Sequence, residues 1–108
     1  ELDGEFQPEW NTLFDSVDRF TKMIFFCTPN NPVGNVIPLE RIREVASRFD
    51  GIVVVDEAYI DFTDMPSAVV LQEDCRNVVV LQTLSKAWGL AGLRVGTGDL
   101  FKQSETAL

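Results

Sequence analysis

An α/β fold, built as a three-layer sandwich around a mostly parallel sheet, is what this sequence of 108 residues predicts. Three observations carry the prediction. Short runs such as "KMIFFC", "IVVVDEAY" and "NVVVLQ" are apolar with little alternation, as strands buried on both faces are. The stretches between them repeat their apolar residues at helical spacing. Each run ends in polar or turn-forming residues, and open α/β sheets hold ligands beyond the carboxyl ends of their strands.

The first element spans 8–20, where Trp10, Leu13, Phe14, Val17 and Phe20 form a helical stripe and Pro8 suits the first turn. A strand at 22–27 follows and runs into a Pro/Asn cluster. Residues 38–49 set Leu39, Ile42, Val45, Ala46 and Phe49 on one helical face, with Pro38 at the start and Gly51 as the stop. The four β-branched residues 52–55 make the second strand, "SAVVLQ" a short helix, and 77–82 the third strand. A helical or looped stretch at 87–92 leads into a fourth strand at 93–97. With no repeat, low-complexity tract or linker, residues 1–98 read as one domain segment and 99–108 as an irregular tail.

Composition bounds the function. A hydrophobic fraction of 45% with 24% charged residues is ordinary for a globular chain. The net charge of −8 argues against a nucleic-acid surface, which needs clustered cations. With no histidine, the chain supplies neither a histidine base nor a histidine metal ligand. Cys27 and Cys75 sit far apart beside apolar residues, so two buried thiols in a reducing cytoplasm are expected rather than a disulfide. The lack of a charged leader or a membrane-length apolar run predicts a cytoplasmic protein with no membrane partner. The chain opens without methionine, as a piece of a longer protein would.

Three strand ends are chemically loaded. After the first comes "TPNNPVGN", a rigid turn in which Asn31 offers a side-chain amide; taken alone, it reads better as a turn and nothing more. After the second comes "DEAY". Asp56 follows three valines, where a carboxylate is costly unless it is paired or caps the next turn. Glu57 falls on the opposite side, so the two acids form no dyad, while a turn brings Tyr59 to the side of Asp56. After the third comes "TLSKAWGLAGLR", which sets Lys86 among small and apolar residues. An amine held there is poorly placed for a charge and well placed as a nucleophile; the alternative is a snorkelling lysine with its ammonium in water. Thr83, Ser85 and Arg94 suit a phosphate, and Gly89, Gly92 and Gly96 permit close approach of the backbone or close packing of helix on sheet.

One ligand accounts for all three ends. Pyridoxal 5′-phosphate needs an amine for its aldehyde, an anion at its ring nitrogen, donors at its ring oxygen and a cationic phosphate cradle. Lys86, Asp56, Tyr59 with Asn31, and Arg94 with the two hydroxyls supply one each.

In the order and spacing of "PNNPVGN", "VVVDEAYIDF" and "TLSKAWGLAGLRVG", the sequence resembles the fold-type-I pyridoxal-phosphate aminotransferases, and within them the histidinol-phosphate aminotransferase branch. The resemblance covers about residues 3–96 and makes the chain the central part of a large, cofactor-binding domain. It implies that Lys86 bonds the cofactor and later moves the substrate proton, that Asp56 holds the ring nitrogen protonated, and that Tyr59 and Asn31 bind the ring oxygen. Thr83, Ser85 and Arg94 are then the phosphate ligands. It further implies an amino donor and a 2-oxo acid as substrates, histidinol phosphate and 2-oxoglutarate in that branch, and a homodimer in the full-length parent.

The departures from the family pattern matter too. Family members are several times longer, with an upstream phosphate-binding turn, a small domain and a downstream substrate arginine that this chain lacks. Past Gly96 the polar "TGDLFKQSETAL" replaces an apolar strand and long helix. The chain alone is therefore expected to have little or no transaminase activity. Two other readings stand beside this one: a decarboxylase of the same architecture, of the threonine-phosphate type, and a non-catalytic α/β fragment. A dinucleotide-binding domain ranks below both, because no G-x-G-x-x-G follows the first strand.

Overall fold

In the computed structural model, which describes residue 4, residues 7–93 and residues 95–99, the chain is an α/β unit around a four-stranded sheet. The strands are β1 (Met23–Cys27), β2 (Ile52–Asp56), β3 (Val78–Thr83) and β4 (Gly96–Asp99), adjacent in that order. β1, β2 and β3 run parallel, and β4 returns antiparallel against β3. All three parallel strands therefore end at one edge of the molecule, which is what collects the site.

α2 (Leu39–Arg48) follows its expected span, with Pro38 as the N-cap residue and Ile42, Val45 and Ala46 buried. Its end is fixed from across the fold. The Asn77 side-chain amide donates to the carbonyls of Ala46, Phe49 and Gly51 at 2.9–3.0 Å, satisfying groups a helix terminus leaves open. Gly51 serves close approach rather than a left-handed turn: a Cβ there would collide with the Lys22 carbonyl and the Phe49 ring.

α1 is shorter than the stripe predicts, Trp10–Ser16 rather than 8–20. The cause is local. Asp18 Oδ1 accepts the N–H groups of Phe20 and Thr21 and the Thr21 hydroxyl, a turn of its own that competes with helix, and Phe20 is left exposed. These bonds also hold the Asp18 carboxyl below the usual carboxylate range. The "SAVVLQ" stretch forms a 3₁₀ helix at Ala68–Glu73, capped by Ser67, whose Oγ accepts the Val69 N–H. β2 takes in Asp56 beyond the four β-branched residues, and β4 lies at 96–99 rather than 93–97.

The parallel register puts Phe26, Val53, Val55, Val78 and Val80 on one face, and these form one core with Ile42, Val45, Phe49 and Leu71. Trp10, Leu13 and Phe14 of α1 close the same side, with the Trp10 ring against Phe26. On the opposite face Met23, Phe25, Ile52 and Leu81 are exposed. The described residues thus supply the sheet and one of the two helical layers of the sandwich. None of their helices is long and apolar enough to cross a membrane.

Candidate active site

The ends of β1 and β2 enclose a pocket of about 260 Å³ lined by Cys27, Pro29, Asn30, Asn31, Asp56, Ala58 and Tyr59. Three of the sequence-predicted residues, Asn31, Asp56 and Tyr59, therefore share one cavity although they come from two different strand ends.

Asp56 caps the turn that follows β2. Its Oδ1 accepts the Ala58 N–H at 3.0 Å, bending the chain out of β2, and among the described residues no donor reaches Oδ2. That bend is what returns Tyr59 to the Asp56 side. Glu57 points the other way, as alternation requires, and is buried under the helices.

Lys86 reaches the same neighbourhood from β3, with Nζ 5.4 Å from the centroid of the Tyr59 ring. Its setting differs from expectation: Lys86 is exposed, and so are Ala87, Trp88 and Leu90 beside it. Apolar neighbours in sequence bury an amine only when another element lies over them, and among the described residues none does. Thr83 and Ser85 form a turn of their own, Thr83 Oγ1 accepting the Ser85 N–H, and neither lines the pocket. Arg94 lies outside the described residues.

Of the three glycines, Gly96 alone makes the close approach, with its Cβ position 3.0 Å from the Gln82 carbonyl. Gly89 instead takes a φ of 66°, which closes the turn from Lys86. A Cβ on Gly92 would meet open space.

Cys27 was missed as a pocket residue. Both cysteines are free, but only Cys75 is buried; Cys27 is exposed because it lies on the uncovered face of the edge strand β1. Burial of its sulfur raises the thiol above its ordinary value, and the negative charge of Asp56, its register partner, adds to the rise. The signal that finds Cys27 is strand register, which one sequence does not contain.

The donor set suits pyridoxal 5′-phosphate in kind: an amine, a carboxylate with an unused oxygen, a phenol and an amide around one cavity. Among the described residues, no three His, Cys, Asp or Glu side chains come together as a group that could hold a metal ion.

Comparison with known proteins agrees with this chemistry. The family model for aminotransferase class I and II matches residues 4–98. A histidinol-phosphate aminotransferase of Cytophaga hutchinsonii is 46% identical over 107 residues, covering 99% of this chain and 31% of that protein. Among solved structures, the histidinol-phosphate aminotransferase of Clostridium acetobutylicum shares the fold, with a TM-score of 0.81 over 94% of this chain and 31% of that one at 24% identity. The L-threonine-O-3-phosphate decarboxylase of Porphyromonas gingivalis is similar over 76% of this chain and 26% of its own, with a TM-score of 0.65 and 27% identity. A match across nearly all the described residues, with the motif residues gathered at one sheet edge, places the chain in the class I and II aminotransferase family.

Proposed function

We propose that this chain is the cofactor-binding core of a longer transaminase that uses pyridoxal 5′-phosphate. The substrates we assign to that parent are histidinol phosphate and 2-oxoglutarate, in histidine biosynthesis. The observation that carries the reading is the cavity shared by Asn31, Asp56 and Tyr59, with the Lys86 amine against the Tyr59 ring. The amino donor follows the names of relatives such as the Cytophaga hutchinsonii protein, of whose length this chain spans 31%. A cytoplasmic homodimer of the parent, acting on a small amino donor and a 2-oxo acid, completes the proposal.

When bound, the cofactor supplies an aldehyde that bonds amines and a ring that accepts an electron pair from the adjoining carbon. Lys86 would offer the amine and then carry, on Nζ, the proton removed from the substrate α-carbon. Asp56 would hold a proton at the ring nitrogen with the carboxylate oxygen it does not spend on Ala58. Tyr59 and Asn31 would donate to the ring oxygen from the cavity wall. Thr83, Ser85 and Arg94 would bind the phosphate, the two hydroxyls turning out of the local turn they occupy here.

The test of Lys86 is covalent. The chain is incubated with pyridoxal 5′-phosphate, fixed with borohydride and mapped by peptide mass. Label is expected on the peptide around Lys86 and is expected to vanish in Lys86→Ala; undiminished specific labelling in that variant overturns the assignment. Turnover of the parent separates the reactions. Amino transfer to 2-oxoglutarate supports the proposal, whereas release of carbon dioxide from an amino-acid phosphate assigns it to decarboxylation.

A further inference from the structure

Among the described residues Glu57 is the one buried carboxylate, only 2% exposed, and the chemistry above makes no use of it. Three donors converge on it: Ser67 Oγ at 2.6 Å, the Ala68 N–H at 2.5 Å and Gln82 Nε2 at 2.9 Å. Ser67 and Ala68 open the 3₁₀ helix, and Gln82 is the residue before Thr83 at the end of β3. The Glu57 N–H donates to the Leu81 carbonyl, while the carbonyl of Asp56 accepts the Thr28 N–H from the end of β1. The peptide joining Asp56 to Glu57 is therefore pinned from both neighbouring strands, and the Glu57 side chain clamps it to the helical layer.

This placement has a consequence for the opposite face. Asp56 and Glu57 are consecutive and point to opposite sides of the sheet, so fixing one side chain fixes the backbone that aims the other. Gln82 lies four residues before Lys86 and on the Glu57 side, so the same clamp sets where β3 releases the chain that carries the amine. We infer that Glu57 is a positioning residue for the cofactor site, holding the Asp56 turn and the Lys86 end of β3 at a fixed separation through Ser67, Ala68 and Gln82. A fully satisfied buried network of this kind is stiff, and its partial loss is felt at every member. The inference rests on the proposed cofactor reading for its functional meaning and on the hydrogen bonds alone for its mechanics.

The experiment therefore has two readouts on the 108-residue chain. Amide hydrogen exchange, with no cofactor present, is followed in wild type, Gln82→Ala and Glu57→Gln. The first variant removes only the link to β3; the second keeps the shape and an acceptor for Ala68 while removing the charge. In both, exchange at Glu57, Ala58 and Leu84 is expected to accelerate about tenfold, with core amides such as those of Val54 and Val79 changing far less. Equal acceleration at all protected amides would make Glu57 a contributor to global stability only and overturn the inference, as would no change at those three.

Cofactor titration by absorbance, at a temperature where every variant is fully folded, is the second readout. The dissociation constant is expected to rise about tenfold in both variants, one lost charge-assisted hydrogen bond each. Unchanged affinity in the variants overturns the positioning role. Absence of cofactor on Lys86 in wild type overturns the site reading instead, and the exchange data then decide separately whether Glu57 clamps the strand ends.

Discussion

The two faces of the sheet are made of the same strands and live in different environments. On one, Val53, Val55, Val78 and Val80 have no exposed surface; on the other, Phe25 is 61% exposed and Ile52 43%. The acids at the end of β2 repeat the contrast. Glu57, on the covered face, has three hydrogen-bond donors, and Asp56, on the open one, accepts a single backbone N–H. The fold fills the bonding capacity of Glu57 and leaves part of that of Asp56 unspent. An apolar face left bare by the described residues, in a chain spanning 31% of a relative's length, belongs to the same pattern.

The comparison is broken most severely by emptying the covered side. Ile42→Ala, at a site with no exposed surface, is expected to cost about 2–5 kcal/mol, read from the shift of the urea midpoint. Asn77→Ala removes the amide that serves three carbonyls at the end of α2 and should cost about 1–3 kcal/mol by the same measurement. Phe25→Ser, on the open face, is expected to change stability by less than about 1 kcal/mol. It should also reduce self-association in sedimentation runs, because it interrupts an exposed apolar surface. If Phe25→Ser cost as much as Ile42→Ala, the open face would be covered in solution by another copy of the chain.

How much of this contrast could be read in advance depends on the element. The positions of β2 and β3 were legible because valine runs bounded by turn residues allow little else, and that of α2 because its stripe has the helical period throughout. The end of α1 was not, since the Asp18 side chain captures two backbone donors that a periodicity count leaves in the helix. Which face would be covered was also hidden: "IVVV" is apolar on both sides and carries no alternation to choose between them. Asn31, Asp56 and Tyr59 could be expected to share one cavity because all stand at strand ends, and parallel pairing brings those ends together. Lys86 lies near the Tyr59 ring, but its burial was misjudged, because burial depends on what lies above a segment and sequence reports only what lies beside it.

The smallest expected effect probes the open face at its polar end. Cys27 and Asp56 are register partners, and sulfur burial followed by the Asp56 charge raises the thiol. A thiol raised in the folded state keeps its proton longer than the unfolded chain does. Its contribution to stability is whole below the ordinary value of 9.0 and is lost as pH climbs through the higher folded value. Alkylation of Cys27 by iodoacetamide should thus have a pH midpoint above that of a free thiol, since the thiolate is the reactive form. Asp56→Asn removes the secondary cause and leaves the burial, so the midpoint should fall part of the way back while Cys75 stays unreactive in the folded chain. An unmoved midpoint in Asp56→Asn would mean that water screens the carboxylate from the sulfur, and the pocket at this edge would then be more open than its walls imply.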